Sequence, residues 1–213
     1  MKIIKMVLGE VQTNCYILYK EDTKEGIIID PSDNANKIID RLSQEGISPK
    51  AIILTHGHFD HIMAAPKLVE KYGIPVYGYV EEASVVKDPI LNASYLINKK
   101  FSMELTDLFY DGDILELAGF SLKVIHTPGH TRGSVCFYLE DRDVLFCGDT
   151  LFYQSIGRTD LPTGNQMQLL RSIEEHLLAL PDDTICYSGH GIVTTIGDER
   201  MNNPFIRTDA IWD

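Results

Sequence analysis

The stretch Thr55-His56-Gly57-His58-Phe59-Asp60-His61 decides how the rest of the chain is read. Three imidazoles and a carboxylate crowd into one short turn. With seven histidines in 213 residues, an H-x-H-x-D-H pattern arises by chance in roughly one such sequence in 1,600. The apolar run just before it, 51–54, fits a buried strand. A helix is expected just after it, over about 64–71, with Pro66 in the first turn, where a missing N–H costs nothing. The motif therefore sits where a strand ends and a helix is about to begin. Side chains two apart at a strand end point the same way, so His56 and His58 can reach one metal ion together. Asp60 and His61, after the chain turns, can reach a second ion beside it. A solvated histidine-rich turn leaves this choice of imidazole and carboxylate unexplained.

Three more polar groups share a setting. His130 lies in Thr127-Pro128-Gly129-His130-Thr131, after a strand expected over 120–125. Asp149 lies in Cys147-Gly148-Asp149-Thr150, after a strand over 144–147. His190 lies in Ser188-Gly189-His190-Gly191, after a strand over 184–187. A strand that runs into Gly or Pro and then a polar group presents that group on one rim of a layered α/β fold. Each is unremarkable alone. With the first cluster they make five histidines and two aspartates on one rim, a donor set for two divalent ions.

The remaining pattern is strand-rich. Strands are expected over 3–8, 15–19, 27–30, 76–79, 114–117 and 134–139. The Asp30-Pro31-Ser32-Asp33 breaker is expected to supply an N-cap for a helix in which Ile38, Ile39 and Leu42 recur up to Gly46. Leu169, Leu170, Ile173, Leu177 and Leu178 form a second helical stripe closed by Pro181. Residues 80–110 are the least legible. The run of strands over 114–147 without helices disfavours an ordinary doubly wound sheet and suggests two sheets with helices outside.

Composition narrows the function. A chain of this length buries about 70% of its unfolded surface, enough for a real core. The net charge is −12, which argues against nucleic acid and against an anionic membrane surface. No apolar run approaches the ~20 residues of a membrane span. The N-terminus reads as a first strand and not as a signal peptide, so a cytoplasmic protein is expected. Cys15, Cys136, Cys147 and Cys186 are far apart, with no Cys-x-x-Cys pair, and are expected to be reduced core thiols.

These residues resemble the metallo-β-lactamase superfamily, and within it the glyoxalase II (hydroxyacylglutathione hydrolase) branch. His56, His58, Asp60, His61, His130, Asp149 and His190 carry the resemblance, in the expected order. Asn14-Cys15-Tyr16, Gly148-Asp149-Thr150-Leu151-Phe152, the run from Ser155 to Pro162 and Asn203-Pro204-Phe205 look like single-domain bacterial members. The resemblance implies a four-layer αββα sandwich with the metal site on one edge of the two sheets. It implies that His56, His58 and His130 hold one ion, that Asp60, His61 and His190 hold the other, and that Asp149 bridges them. The ions are expected to be zinc, with iron or manganese as alternatives. The implied reaction is attack of a metal-bound hydroxide on a small-molecule thioester, such as S-lactoylglutathione, or on an ester. No catalytic side chain beyond the ligands is expected.

The two-domain members carry a C-terminal helical domain that helps grip glutathione. Here 23 residues follow His190, so one domain over 1–213 is expected, without that addition. Ser188 also stands where the family often has Pro, and Thr163 and Asn165 depart from its Leu-Pro-Gly-Gly-Asp loop. Arg158, in the loop after Asp149, is the candidate substrate anchor, because guanidinium suits a carboxylate. An ion pair with Asp160 is the competing reading of Arg158. Tyr153 and Phe152 are candidate pocket walls, and Lys99 and Lys100 candidate mouth residues. His126 is read as support and His176 as surface. The competing functions are a mononuclear iron persulfide dioxygenase, a lactonase, and a metal-binding relative without activity.

Overall fold

The computed structural model describes residues 1–206. The expected domain, 1–213, extends past the described residues. β1 (Lys2–Leu8), β2 (Thr13–Tyr19), β3 (Glu25–Ile29), β4 (Ser48–Ile53), β5 (Val76–Tyr79) and β6 (Asp107–Phe109) form one six-stranded sheet in that order. β1, β2 and β3 are antiparallel, and β3 to β6 run parallel. The second sheet begins with the meander β7 (Ile114–Leu117), β8 (Phe120–His126), β9 (Val135–Leu139) and β10 (Val144–Gly148). A small hairpin, β11 (Leu151–Phe152) and β12 (Ser155–Ile156), follows. β13 (Ile185–Ser188) then adds parallel to β10, and β14 (Thr194–Thr195) closes the edge.

The central strands β2, β3, β9 and β10 are buried on both faces, which is why they read as continuous apolar runs. Alternate residues serve different layers. Leu18, Ile27, Ile29 and Ile53 meet Leu122, Val124, Phe137 and Phe146 between the sheets. Ile17, Ile28 and Ile52 point the other way, onto α1 (Ala35–Glu45) and its neighbours. α2 (Phe59–Ile62) and α3 (Ala65–Tyr72) lie on the same side. α4 (Glu82–Val85) follows β5. On the far side, Cys136, Leu145, Cys147 and Cys186 pack on α5 (Gln166–Ser172) and α6 (Ile196–Asn202). The result is the four-layer αββα sandwich. All four cysteines are free and buried.

Two local expectations change. The Asp30–Asp33 breaker does not cap α1. The residue before that helix is Asn34, left-handed at φ 54°, and its side chain makes no cap hydrogen bond. Asp33 is occupied with the Asn34 N–H instead, at 2.5 Å. The second stripe divides: α5 ends at Ser172 and the chain continues as a π-helical turn over Ile173–Leu177. Leu169, Ile173 and Leu177 stay on one buried face.

β3, β4, β8, β10 and β13 all end at the same rim. The sheets are tied together there. Asn14 N–H donates to the Gly189 carbonyl at 2.7 Å, and its side-chain amide donates to Ser188 at 2.8 Å. The Tyr16 hydroxyl donates to the same Ser188 carbonyl at 2.6 Å. Val135 N–H donates to the Thr55 carbonyl at 2.9 Å.

Candidate metal centre

The seven expected ligands meet on this rim. Both β4 and the following loop place His56 and His58 side by side, buried and with rings perpendicular. His130 comes from the opposite sheet and completes a trio. Its Nε2 lies 2.8 Å from His58 Nδ1 and 3.2 Å from His56 Nε2. α2 carries Asp60 and His61 to the second trio. His61 Nε2 lies 3.5 Å from Asp60 Oδ2, and His190 Nε2 lies 3.3 Å from the same oxygen. Asp149 stands between the trios, 3.5 Å from His130 Nε2, 3.5 Å from His190 Nε2 and 3.3 Å from His61 Nε2. Gly189 leaves the space this requires, since a Cβ there would run into Asp149 Oδ1.

Hydrogen bonds on the outer ring atoms fix the tautomers. His130 Nδ1 is 2.7 Å from the Arg158 carbonyl, which can only accept, so Nδ1 carries the hydrogen. Thr55 Oγ1 donates to Asp30 Oδ2 at 2.6 Å and therefore accepts from His56 Nδ1, 3.1 Å away. Both Nε2 atoms are thus bare lone pairs, 3.2 Å apart and facing each other. Lone pairs so placed repel unless a cation lies between them. Tetrahedral zinc with Zn–N bonds of ~2.05 Å sets ligand nitrogens about 3.3 Å apart. In the second trio, His61 Nδ1 is held by Asp30 Oδ2 at 2.9 Å. Its Nε2, and Asp149 Oδ1, are fully buried with no hydrogen-bond partner. The cluster fits a metal site on these grounds.

The electrostatics separate the trios. Burial pushes His56 well below the usual imidazole range and His58 down to about 3, with neighbouring histidines adding to both shifts. Burial also lowers His130. All three are neutral ligands at pH 7. The second trio is the reverse. Burial opposes the charged form of His61, but Asp149, Asp60 and Asp30 outweigh it and raise this group well above its ordinary value. Burial likewise opposes charge on His190, but hydrogen bonds to Asp149 and Asp60 lift it to about 9. Burial would raise Asp60, but His61 and the His190 hydrogen bond bring it to about 2. The carboxylates here attract positive charge, as proton or as metal ion.

Two functional residues escape the sequence reading. Asp30 accepts from Thr55 N–H at 2.8 Å, from the Thr55 hydroxyl and from His61 Nδ1, so it orients ligands from behind. It follows Ile27-Ile28-Ile29 into Pro31, the setting that singles out His130, Asp149 and His190, and that signal could have found it. Glu82 opens α4 and is buried. It accepts from Gly57 N–H at 2.5 Å, the Thr131 hydroxyl at 2.9 Å and Gly133 N–H at 3.0 Å. It thereby joins the His56–His58 loop to the His130 loop. Residues 80–110 carry no pattern that marks it.

The other candidates divide. The Arg158 guanidinium is exposed and makes a two-bond pair with Asp160, at 2.7 Å each. Phe152 lies edge-on to His190, 6.0 Å between ring centres, while Tyr153 is exposed. Lys99 borders a cleft beside Asp60, and Lys100 is exposed. His126 stacks on Tyr79 and its Nε2 meets the Arg132 carbonyl at 2.9 Å, away from the trios. His176 is exposed on the helical segment after α5.

The family model described as the metallo-beta-lactamase superfamily matches residues 8–190. The chain is 37% identical to hydroxyacylglutathione hydrolase GloC of Haemophilus influenzae, over 93% of this chain and 95% of that protein. It is similar to the crystal structure of the BLEG-1 B3 metallo-beta-lactamase, with a TM-score of 0.92 and 43% identity over 96% of this chain and 99% of that one. It is also similar to TTHA1623 in a di-iron-bound form, with a TM-score of 0.85 and 34% identity over 95% and 99% of the two chains. The chain belongs to the metallo-beta-lactamase superfamily and is a metal-dependent hydrolase of that group.

Proposed function

We propose that this chain is a cytoplasmic thioester hydrolase of the glyoxalase II type, acting on a substrate such as S-lactoylglutathione. The observation that carries the reading is the pair of complete ligand trios sharing Asp149. His56, His58 and His130 are assigned one divalent ion, and Asp60, His61 and His190 the other, with zinc the first candidate and iron or manganese the alternatives. Divalent ions held there supply an activated water at neutral pH and polarise the carbonyl under attack.

The chain's own residues do the positioning. Thr13 Oγ1 donates to Asp60 Oδ2 at 2.8 Å and fixes that carboxylate. Asp30 and the Arg158 carbonyl hold the outer nitrogens of His61 and His130. The Arg158 side chain, released from Asp160, is assigned the anionic end of the substrate. A thiolate departs without a proton from the protein, because a thiol pKa of ~8.5 makes it a good leaving group. This suits a centre whose buried acids are all occupied as ligands or as hydrogen-bond acceptors.

A second reading rests on the similarity to BLEG-1, a B3 metallo-beta-lactamase. A β-lactam presents the same kind of carbonyl to the same centre. A third reading, a mononuclear iron dioxygenase, differs in holding one ion instead of two. The test is thiol release from S-lactoylglutathione by the zinc-loaded chain, beside cleavage of a chromogenic β-lactam and oxygen uptake with glutathione persulfide. Thiol release that a chelator abolishes is expected. β-Lactam cleavage or oxygen uptake without thiol release overturns the thioester reading.

A further inference from the structure

His190 is the most loosely framed of the seven ligands. Its side chain is 25% exposed, more than any of the other six. Outer hydrogen bonds orient His56, His61 and His130, and burial encloses His58. Among the described residues no outer hydrogen bond orients the His190 ring. Its aim is therefore set by its backbone. That backbone lies between Gly189 and Gly191, and Gly191 is left-handed at φ 75°. Glycine leaves a chain its widest conformational freedom, so the loop needs restraint from outside.

The restraint comes from the opposite sheet, and chiefly from one residue. Asn14 N–H donates to the Gly189 carbonyl at 2.7 Å. Its side-chain Nδ2 donates to the carbonyls of Ser188 at 2.8 Å and of Gly191 at 3.1 Å. Asn14 thus grips the chain on both sides of His190. The residue before it serves the same trio. Successive side chains of a strand point to opposite faces. Thr13, on the helix side of β2, donates to Asp60, while Asn14, on the inner side with Tyr16, reaches the end of β13. The Asn14 side chain carries a penalty. It is buried, and its Oδ1 has no hydrogen-bond partner among the described residues. An apolar residue would avoid that penalty, so the two Nδ2 donors are what single out asparagine here.

We propose that Asn14 is a positioning residue for His190, and that it sets the affinity of the second ion without being one of its ligands. The inference rests on the assignment of His190 to that ion. It needs no particular substrate.

The test uses two single-site backgrounds and zinc calorimetry on the full chain. His58→Ala leaves only the second trio complete, and His190→Ala leaves only the first. Asn14→Leu keeps a branched side chain and the main-chain bond, and removes both Nδ2 donors. Ser188 still has the Tyr16 hydroxyl and Gly191 the Lys5 ammonium, so neither carbonyl is left without a donor. In the His58→Ala chain, Asn14→Leu is expected to weaken zinc binding by roughly 10- to 100-fold, as when a group that orients a ligand is lost. In the His190→Ala chain it is expected to change nothing. Equal weakening in both backgrounds is the mark of a general structural role and overturns the proposal, as does no weakening in either. If Asn14→Leu does not fold, Lys5→Met, an exposed change, removes the other donor to Gly191. Weaker zinc binding in the His58→Ala chain alone then supports the proposal, and unchanged binding overturns it. A His190→Ala chain that still holds two equivalents, or a His58→Ala chain that holds none, overturns the ligand assignment itself and takes the inference with it.

Discussion

Glu82 is a buried acid that touches no assigned ligand yet holds two ligand loops. Burial raises its carboxyl to about 7, against the lowering effect of its bonds from Thr131, Gly57 and Gly133. The native state therefore binds this proton more tightly than the unfolded chain does. The contribution of Glu82 to the stability of the metal-free protein is full below pH ~4.5 and is lost as pH rises through about 7, by on the order of 3 kcal/mol. Glu82→Gln removes that slope. It also sets an amide N–H against an N–H or hydroxyl donor, and affinity for one of the two metal equivalents drops by roughly 10- to 100-fold. Urea midpoints from pH 4.5 to 8 and metal titration check the two effects. Arg158 illustrates the opposite case. The sequence offered both an anchor and a partner of Asp160, and the structure places the side chain with Asp160 while giving its carbonyl to His130.

Elements were legible in proportion to how far their burial shows in sequence. Ile27-Ile28-Ile29 and Val135 to Leu139 are buried on both faces and read as strands at once. β11, β12 and β14 escaped notice because two-residue strands carry no periodicity. α2 escaped because three of its four residues were taken up by the ligand motif. α5 was legible by its Leu169–Ile173–Leu177 face, but its start was not. That start is set by Asn165, whose side chain accepts from Gln168 N–H at 3.1 Å. Asn165→Ala is expected to cost about 1 kcal/mol of stability, read from the denaturation midpoint. An unchanged midpoint would show that the cap contributes nothing.

The fold as a whole presents one rim where two sheets end together, and seven ligands reach it from four separate strand ends. The histidine motif made that rim legible, because its spacing is specific; Asp30 shares the strand-end setting of the ligands, whereas Glu82 acts through contacts no spacing records. The two trios differ in the protons they hold before metal binds. Neutral His56, His58 and His130 give up none at pH 7. His61 and His190, raised by their carboxylates, must each release one. Lowering the pH below about 9 therefore weakens one metal equivalent by about tenfold per unit for each proton displaced, and the other far less. Calorimetry in buffers of different ionisation enthalpy counts those protons, and equal release at both sites contradicts the assignment. Among the described residues no helix is long and apolar enough to cross a membrane.

Seven side chains on one rim are assigned two metal ions. Metal content by mass spectrometry, on protein purified without added metal and then titrated with zinc, tests that assignment together with S-lactoylglutathione hydrolysis on the same samples. Two equivalents per chain are predicted, with turnover, and His58→Ala is predicted to lose one equivalent and the activity. A single equivalent in the wild-type chain, or two retained with full activity in His58→Ala, would contradict it.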